Sequence, residues 1–251
     1  MPERHPWLRH VVITGGTRGI GRSIALSVCS SGAHSVLLNY LQNDEAAQET
    51  KARCEELGAQ CVLHRGNVGS PDEIDRLFDV ATEQLGNIDL LVHCAALNSF
   101  KPITAIKPNQ WDLTVNIAAR AFLLCAQRCA PLMERGSIIA VSSLGARRVL
   151  ENYGAMGPAK AALESIVQYL AVEMAPRGIR VNGITAGLVE TESLSKFPAA
   201  EQMIEAAKHH TPAGRIGTPG DIARVVHFLA GPDAAWIVGQ TLVADGGFSL
   251  R

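Results

Sequence analysis

Seven short apolar runs recur along this chain: Val11–Thr14, Ser35–Tyr40, Gln60–His64, Ile88–Cys94, Ser137–Ser142, Arg180–Thr185 and Gln240–Ala244. Between most of them, apolar residues return every three or four positions, over about 19–31, 44–57, 71–85, 109–133, 155–175 and 219–230. The short runs predict strands and the spaced stretches predict helices. The strand runs are apolar throughout rather than alternating, so both faces of each strand are expected to be buried. Alternating strands and helices then predict an α/β fold: a doubly wound parallel sheet of about seven strands, with helices on both sides.

Turn residues support these boundaries. Gly32 and Gly58 stand just past helical stretches, where a glycine ends a helix. Ser70-Pro71 and Thr218-Pro219 read as a cap followed by a first-turn proline. No linker or repeat divides residues 1–251, so one domain is expected. The alternation lapses longest between Gly187 and Gly217. An insertion of that length predicts a substrate lid, placed at about 188–212, with Leu188, Leu194, Phe197, Met203 and Ile204 as its apolar cover.

The chain is 47% hydrophobic and carries a net charge of −1, enough apolar material for a core and no electrostatic pull toward nucleic acid or an anionic membrane. No apolar run reaches bilayer length, and Met1–His10 lacks the apolar centre of a signal peptide. A cytoplasmic location is the default expectation. Cys29, Cys54, Cys61, Cys94, Cys125 and Cys129 form no CxxC pair and no zinc spacing, so they are expected to be reduced thiols, with no metal site.

Chemistry enters at Thr14-Gly15-Gly16-Thr17-Arg18-Gly19-Ile20-Gly21, between the first strand and first helix. Gly15 permits the tight turn, Gly19 lets backbone approach a diphosphate, and Gly21 lets helix and strand pack closely. The helix N-terminus then offers free N–H groups to an anion. This context predicts a Rossmann-like dinucleotide site. At the end of the second strand, Asn39 and Tyr40 stand where an NAD site usually carries a carboxylate for the ribose 2′-hydroxyl. With no carboxylate there to repel a 2′-phosphate, and with Arg18 able to pair with one, the expected cofactor is NADP(H).

The glycine turn, followed by Tyr153 and Lys160, resembles the short-chain dehydrogenase/reductase family over almost the whole chain. The resemblance implies that Asn67 and Val68 contact the adenine, that Asn116 orders a water near the lysine, and that Gly187, Val189 and Thr191 hold the nicotinamide carboxamide. It places Ala95 beside the cofactor, within His93-Cys94-Ala95-Ala96, where the family usually has NNAG. Asp245-Gly246-Gly247 resembles the usual C-terminal end. Most members separate Tyr and Lys by three residues; here six intervene, as in the divergent branch of enoyl-acyl-carrier-protein reductases, closest to the NADPH-using type of bacilli. A homotetramer or dimer is also implied, with the long helices at the contacts.

On one helix, seven residues would bring Tyr153 and Lys160 to the same side. Pro158 argues that Tyr153 precedes the regular helix. Lys160 is expected to hold the nicotinamide ribose and to ease proton exchange at Tyr153. Ser143 is the candidate to assist at a substrate oxygen, or else a turn serine; Ser142 is its neighbour. The leading expectation is NADPH-dependent reduction of an enoyl thioester on acyl carrier protein or CoA, with hydride reaching the β-carbon and Tyr153 stabilising the enolate. A ketoreductase using the same residues is the alternative. A catalytically silent cofactor sensor is a third reading, and it predicts a broken Tyr/Lys pair or glycine turn.

Overall fold

A computed structural model of the protein describes residues 7–97, 100–195 and 200–251. Seven parallel strands form one sheet in the order β3-β2-β1-β4-β5-β6-β7. They are β1 His10–Thr14, β2 Ser35–Tyr40, β3 Gln60–Arg65, β4 Leu90–His93, β5 Gly136–Ser143, β6 Ile179–Ala186 and β7 Thr241–Ala244. Successive residues of one strand enter opposite cores. Val11 and Ile13 pack with helices α1 (Gly19–Ser30), α2 (Asp44–Glu56) and α9 (Pro219–Ala230). Val12 packs with α3 (Pro71–Gln84), α5 (Ala121–Cys129) and α6 (Met156–Met174). The uniformly apolar strand runs are explained by this double burial.

Gly32 and Gly58 end α1 and α2 in the left-handed conformation, with φ of 92° and 88°. In each case a Schellman pair closes the turn, as in Gly58 N–H to the Glu55 carbonyl and Ala59 N–H to the Cys54 carbonyl. Thr218 caps α9 as expected, in a reciprocal box with Asp221. Ser70 differs: Pro71 opens α3, but the Ser70 side chain makes no cap bond.

The stretch expected as one helix over 109–133 is broken. It runs as α4 (Pro108–Val115), a π turn (Asn116–Arg120) and α5. Apolar periodicity is the same on either side of such a turn, so the pattern does not reveal it. The 188–217 insertion contains α7 (Glu192–Ser195) and α8 (Ala200–His210). Its base is pinched shut by two bonds, Glu190 N–H to the Gly217 carbonyl and Gly217 N–H to the Leu188 carbonyl. Leu188, Leu194 and Ile204 join the small core of this insertion. Phe197 and the Met203 side chain, named with them from the sequence, lie outside the described residues. Among the described residues, no helix is long and apolar enough to cross a membrane.

Candidate active site

The winding direction of the sheet reverses between β1 and β4, and a groove of about 390 Å³ opens at their carboxyl ends. Gly15, Thr17, Arg18, Gly19, Ile20, Gly21, Asn39, Tyr40, Asn67, Val68 and Ala95 all line it. Thr191 joins this groove to an adjoining cavity of about 570 Å³, which Gly187 and Val189 line.

The glycines of the first turn are required by space. Gly15 has a φ of 64°, and a β-carbon on it would stand 3.0 Å from the Ala95 Cα across the crevice. A β-carbon on Gly21 would stand 2.1 Å from the Gly15 carbonyl oxygen. The N-cap of α1 is Arg18, whose side chain makes no cap bond, and the first turn contains no acidic residue. The helix therefore presents uncapped N–H groups and the positive end of its dipole to the groove, which fits a diphosphate.

At the far end of the groove, Asn39 is buried and serves the frame. Its Nδ2 donates to the Gly66 carbonyl at 2.9 Å, and its own carbonyl accepts from Gly16 N–H at 3.0 Å. Tyr40 donates from its hydroxyl to Asp44 at 2.7 Å. The parallel register sets Arg65 beside Tyr40, and Arg65 pairs with the same Asp44 at 3.2 Å. Residues 41–44 contain no basic side chain, and the neighbouring strand supplies one in Arg65. No local motif signals a cross-strand partner.

Tyr153 lies before α6, as Pro158 implied, and Pro158 occupies the first turn. Its backbone is aimed by Asn152, the one non-glycine residue at positive φ (57°) among those described. Such a conformation is uncommon and is best tolerated by asparagine. The Tyr153 ring lies over Gly145, where a β-carbon would come 2.4 Å from Cδ1, and tilts against Phe100 with centroids 5.8 Å apart. Burial pushes the phenol's pKa up, and a hydrogen bond with Ser143 works against that rise. Ser143 also accepts from Gly145 N–H at 3.3 Å, so it is both a turn serine and the partner of Tyr153. Ser142 turns the other way, to Glu164. Tyr153 and Ser143 both face the 570 Å³ cavity, whose walls include Leu144, Leu150, Leu188 and Phe248. Phe248 was missed because it follows the Asp245-Gly246-Gly247 turn, where the Asp245 carboxylate accepts from Gly247 and Ser249 N–H groups and folds the C-terminus back.

Lys160 lies below both openings, only 4% exposed, and lines neither. Its ammonium donates to the Val141 carbonyl at 2.6 Å, and Val141 lines the groove at the ends of β1 and β4. Burial lowers its pKa to about 8, with Cys94 and Glu164 acting in the opposite direction. An ammonium has three donors. One reaches Val141, which fits a role for the others toward ribose hydroxyls. Asn116 opens the π turn, whose first bond runs from Ala121 N–H to the Asn116 carbonyl.

A model of the family described as enoyl-(acyl carrier protein) reductase matches residues 15–249. The 1-cyclohexenylcarbonyl-CoA reductase of Streptomyces collinus is 40% identical over 242 residues, 95% of this chain and 86% of that protein. The chain belongs to the short-chain dehydrogenase/reductase family. The versicolorin reductase of Emericella nidulans is 32% identical over 248 residues, covering 94% of each chain. A short-chain dehydrogenase of Burkholderia cenocepacia, crystallised in complex with NADP, superposes with a TM-score of 0.91 at 29% identity, covering 98% of this chain and 100% of that one. Membership of this family makes the chain an oxidoreductase of the nicotinamide-dependent kind. The bulk and the tail of the site, from the glycine turn to Phe248, fall inside the matched span.

Proposed function

We propose that the protein reduces the conjugated double bond of an enoyl thioester at the expense of NADPH, with Tyr153, Ser143 and Lys160 at the reaction centre. The observation that carries this reading is that Tyr153 and Ser143 line one apolar cavity, which meets the groove at Thr191. When bound, the cofactor supplies the hydride. What the chain supplies is a hydrogen-bond donor where negative charge develops on the thioester oxygen. A phenol whose pKa is raised by burial stays protonated at neutral pH and can act as that donor. Ser143, holding the same hydroxyl, orients it. Lys160 holds the ribose and keeps positive charge under the site.

The six-residue separation of Tyr153 and Lys160 and the likeness to a 1-cyclohexenylcarbonyl-CoA reductase both favour the alkene as acceptor. One observation favours a second reading. The Tyr153–Ser143 pair would serve a carbonyl oxygen as well as an enolate, and the versicolorin reductase is among the relatives. NADPH as the cofactor is supported by Arg18 in the groove and by Arg65 beside Tyr40. A lid role for 188–212 is supported by the pinched base of the insertion and by the place of Leu188, Leu194 and Ala207 in the cavity wall. A homo-oligomer is supported by Tyr169 and Val172, which leave 71% and 76% of their surface exposed on α6.

The deciding experiment follows NADPH absorbance with a crotonyl thioester and an acetoacetyl thioester side by side. Turnover of the crotonyl substrate is expected. Turnover of the acetoacetyl substrate alone moves the assignment to the ketoreductase.

A further inference from the structure

Glu164 follows Lys160 by one helical turn on α6, and its side chain is only 13% exposed. Three donors converge on its carboxylate. Ser142 Oγ and Thr185 Oγ1 each donate to Oε1 at 2.7 Å, and Arg147 Nε donates to Oε2 at 2.8 Å. Each donor stands next to a residue of the site. Ser142 lies between Val141, which accepts from Lys160, and Ser143, which holds Tyr153. Thr185 lies two residues before Gly187, in the cavity wall. Arg147 ends the turn that begins at Leu144 and contains Gly145, on which the Tyr153 ring rests.

We infer that Glu164 is a positioning residue: one carboxylate that ties β5, β6 and the 144–147 turn together and sets a fixed negative charge one helical turn from Lys160. The groups facing Lys160 leave no rival for the second task. His93, from β4, is held neutral by burial, its pKa lowered to about 3. Cys94 lies near enough to act on Lys160, but burial pushes its thiol up to about 12, so it is uncharged while Lys160 titrates. Tyr153 is a neutral phenol over the same range. Glu164 is then the one anion among the described groups that act on Lys160. Arg147 opposes it. Its guanidinium sits on Oε2, with 47% of the side chain exposed, and draws part of the carboxylate's field toward solvent.

This assignment rests on the reading of Lys160 as a site residue, and its test is chosen to stand apart from that reading. The chain has six lysines, few enough to resolve by NMR after labelling with 13Cε,15Nζ-lysine, with Lys160 assigned through Lys160→Arg. Glu164→Gln keeps the shape and most of the hydrogen bonds but removes the charge. It is expected to lower the Lys160 titration by about one pH unit, the effect of one close opposite charge. Arg147→Gln is expected to move the titration the other way, and it keeps the test alive if Glu164→Gln does not fold. Lys160 titrating at the wild-type pH in either folded variant overturns the inference. The alkaline limb of NADPH affinity, read by quenching of tryptophan fluorescence, should move with the titration. A protein that reduces neither thioester would remove the proposed function and leave the titration result in force.

Discussion

His93 and Thr14 meet side chain to side chain at the crevice, His93 Nδ1 lying 2.9 Å from Thr14 Oγ1. The other ring nitrogen, Nε2, lies 3.1 Å from the Ile117 carbonyl, which can only accept. The proton therefore sits on Nε2, and Nδ1 accepts from the Thr14 hydroxyl. Thr14 in turn accepts from Ala95 N–H at 3.3 Å. One neutral imidazole thus links the strand before the glycine turn, the loop after β4 and the π turn below.

That link sets a pH dependence. Burial, followed by the charge of Lys160, lowers the His93 pKa from 6.5 to about 3. A histidine depressed in the folded state takes its proton first in the unfolded state. Its contribution is intact above about 6.5 and is lost as pH falls toward 3. Between pH 7 and 5 this one group is expected to cost the protein about 2 kcal/mol of stability. His93→Asn should be less stable at pH 7 and should lose correspondingly less on acidification. Urea denaturation at the two pH values measures both. An acid slope unchanged by the substitution would clear His93 of the effect.

Gly145 is the next test, because its place is taken by a ring. A β-carbon there would stand 2.4 Å and 2.5 Å from two carbons of Tyr153. The turn cannot yield easily, since Gly157 packs its backbone against the Gly145 carbonyl. Gly145→Ala is expected to push the Tyr153 hydroxyl away from Ser143 and to lower kcat about 100-fold, as a displacement near 1 Å does in other enzymes. NADPH affinity should stay near that of the wild type, because the groove lies elsewhere. Fluorescence titration beside steady-state kinetics separates the two.

Arg180 predicts stability without chemistry. Its guanidinium, partly stripped of water, donates to the carbonyls of Leu229, Ala230, Gly231 and Ala234 at 2.6–3.1 Å. These are carbonyls at and just beyond the end of α9, which the helix itself cannot satisfy. A cation there also meets the negative end of the helix dipole. Arg180→Ala is expected to cost about 3 kcal/mol in chemical denaturation, since charged hydrogen bonds to four buried residues are lost and the Ala230 carbonyl loses its side-chain donor. Turnover per folded molecule should be unaffected.

The strands and the crevice at the ends of β1 and β4 were legible because the physics behind them is local. Unbroken apolar runs report burial on both faces, and the spacing of Gly15, Gly19 and Gly21 reports where backbone must pass backbone. Tyr153 ahead of the helix was legible for the same kind of reason, through Pro158. What stayed hidden depends on which strands lie side by side. Arg65 reaches Tyr40 only through the β2–β3 register. Glu164 reads as an ordinary polar helix position until β5 and β6 bring Ser142 and Thr185 to it. Phe248 enters the cavity only because Asp245 folds the tail inward. The π turn at Asn116 leaves no mark on apolar spacing.

Cofactor choice is the prediction that bears most directly on the groove. Arg18 is exposed at the N-cap of α1 and lines the groove together with Tyr40. Asp44, the carboxylate that meets the Tyr40 hydroxyl, is already engaged by Tyr40 and Arg65. It is poorly placed to act as the free ribose acceptor that an NAD site needs. Arg18 in the groove, with Arg65 opposite Tyr40 on the next strand, instead favours a 2′-phosphate. Arg18→Ala is expected to weaken NADPH about tenfold and NADH hardly at all, because NADH carries no phosphate for that side chain to meet. Asp44→Asn should shift the balance further toward NADPH by freeing Arg65. Dissociation constants for both cofactors in the three proteins test this, and equal losses for NADPH and NADH in Arg18→Ala would assign Arg18 to the shared diphosphate instead.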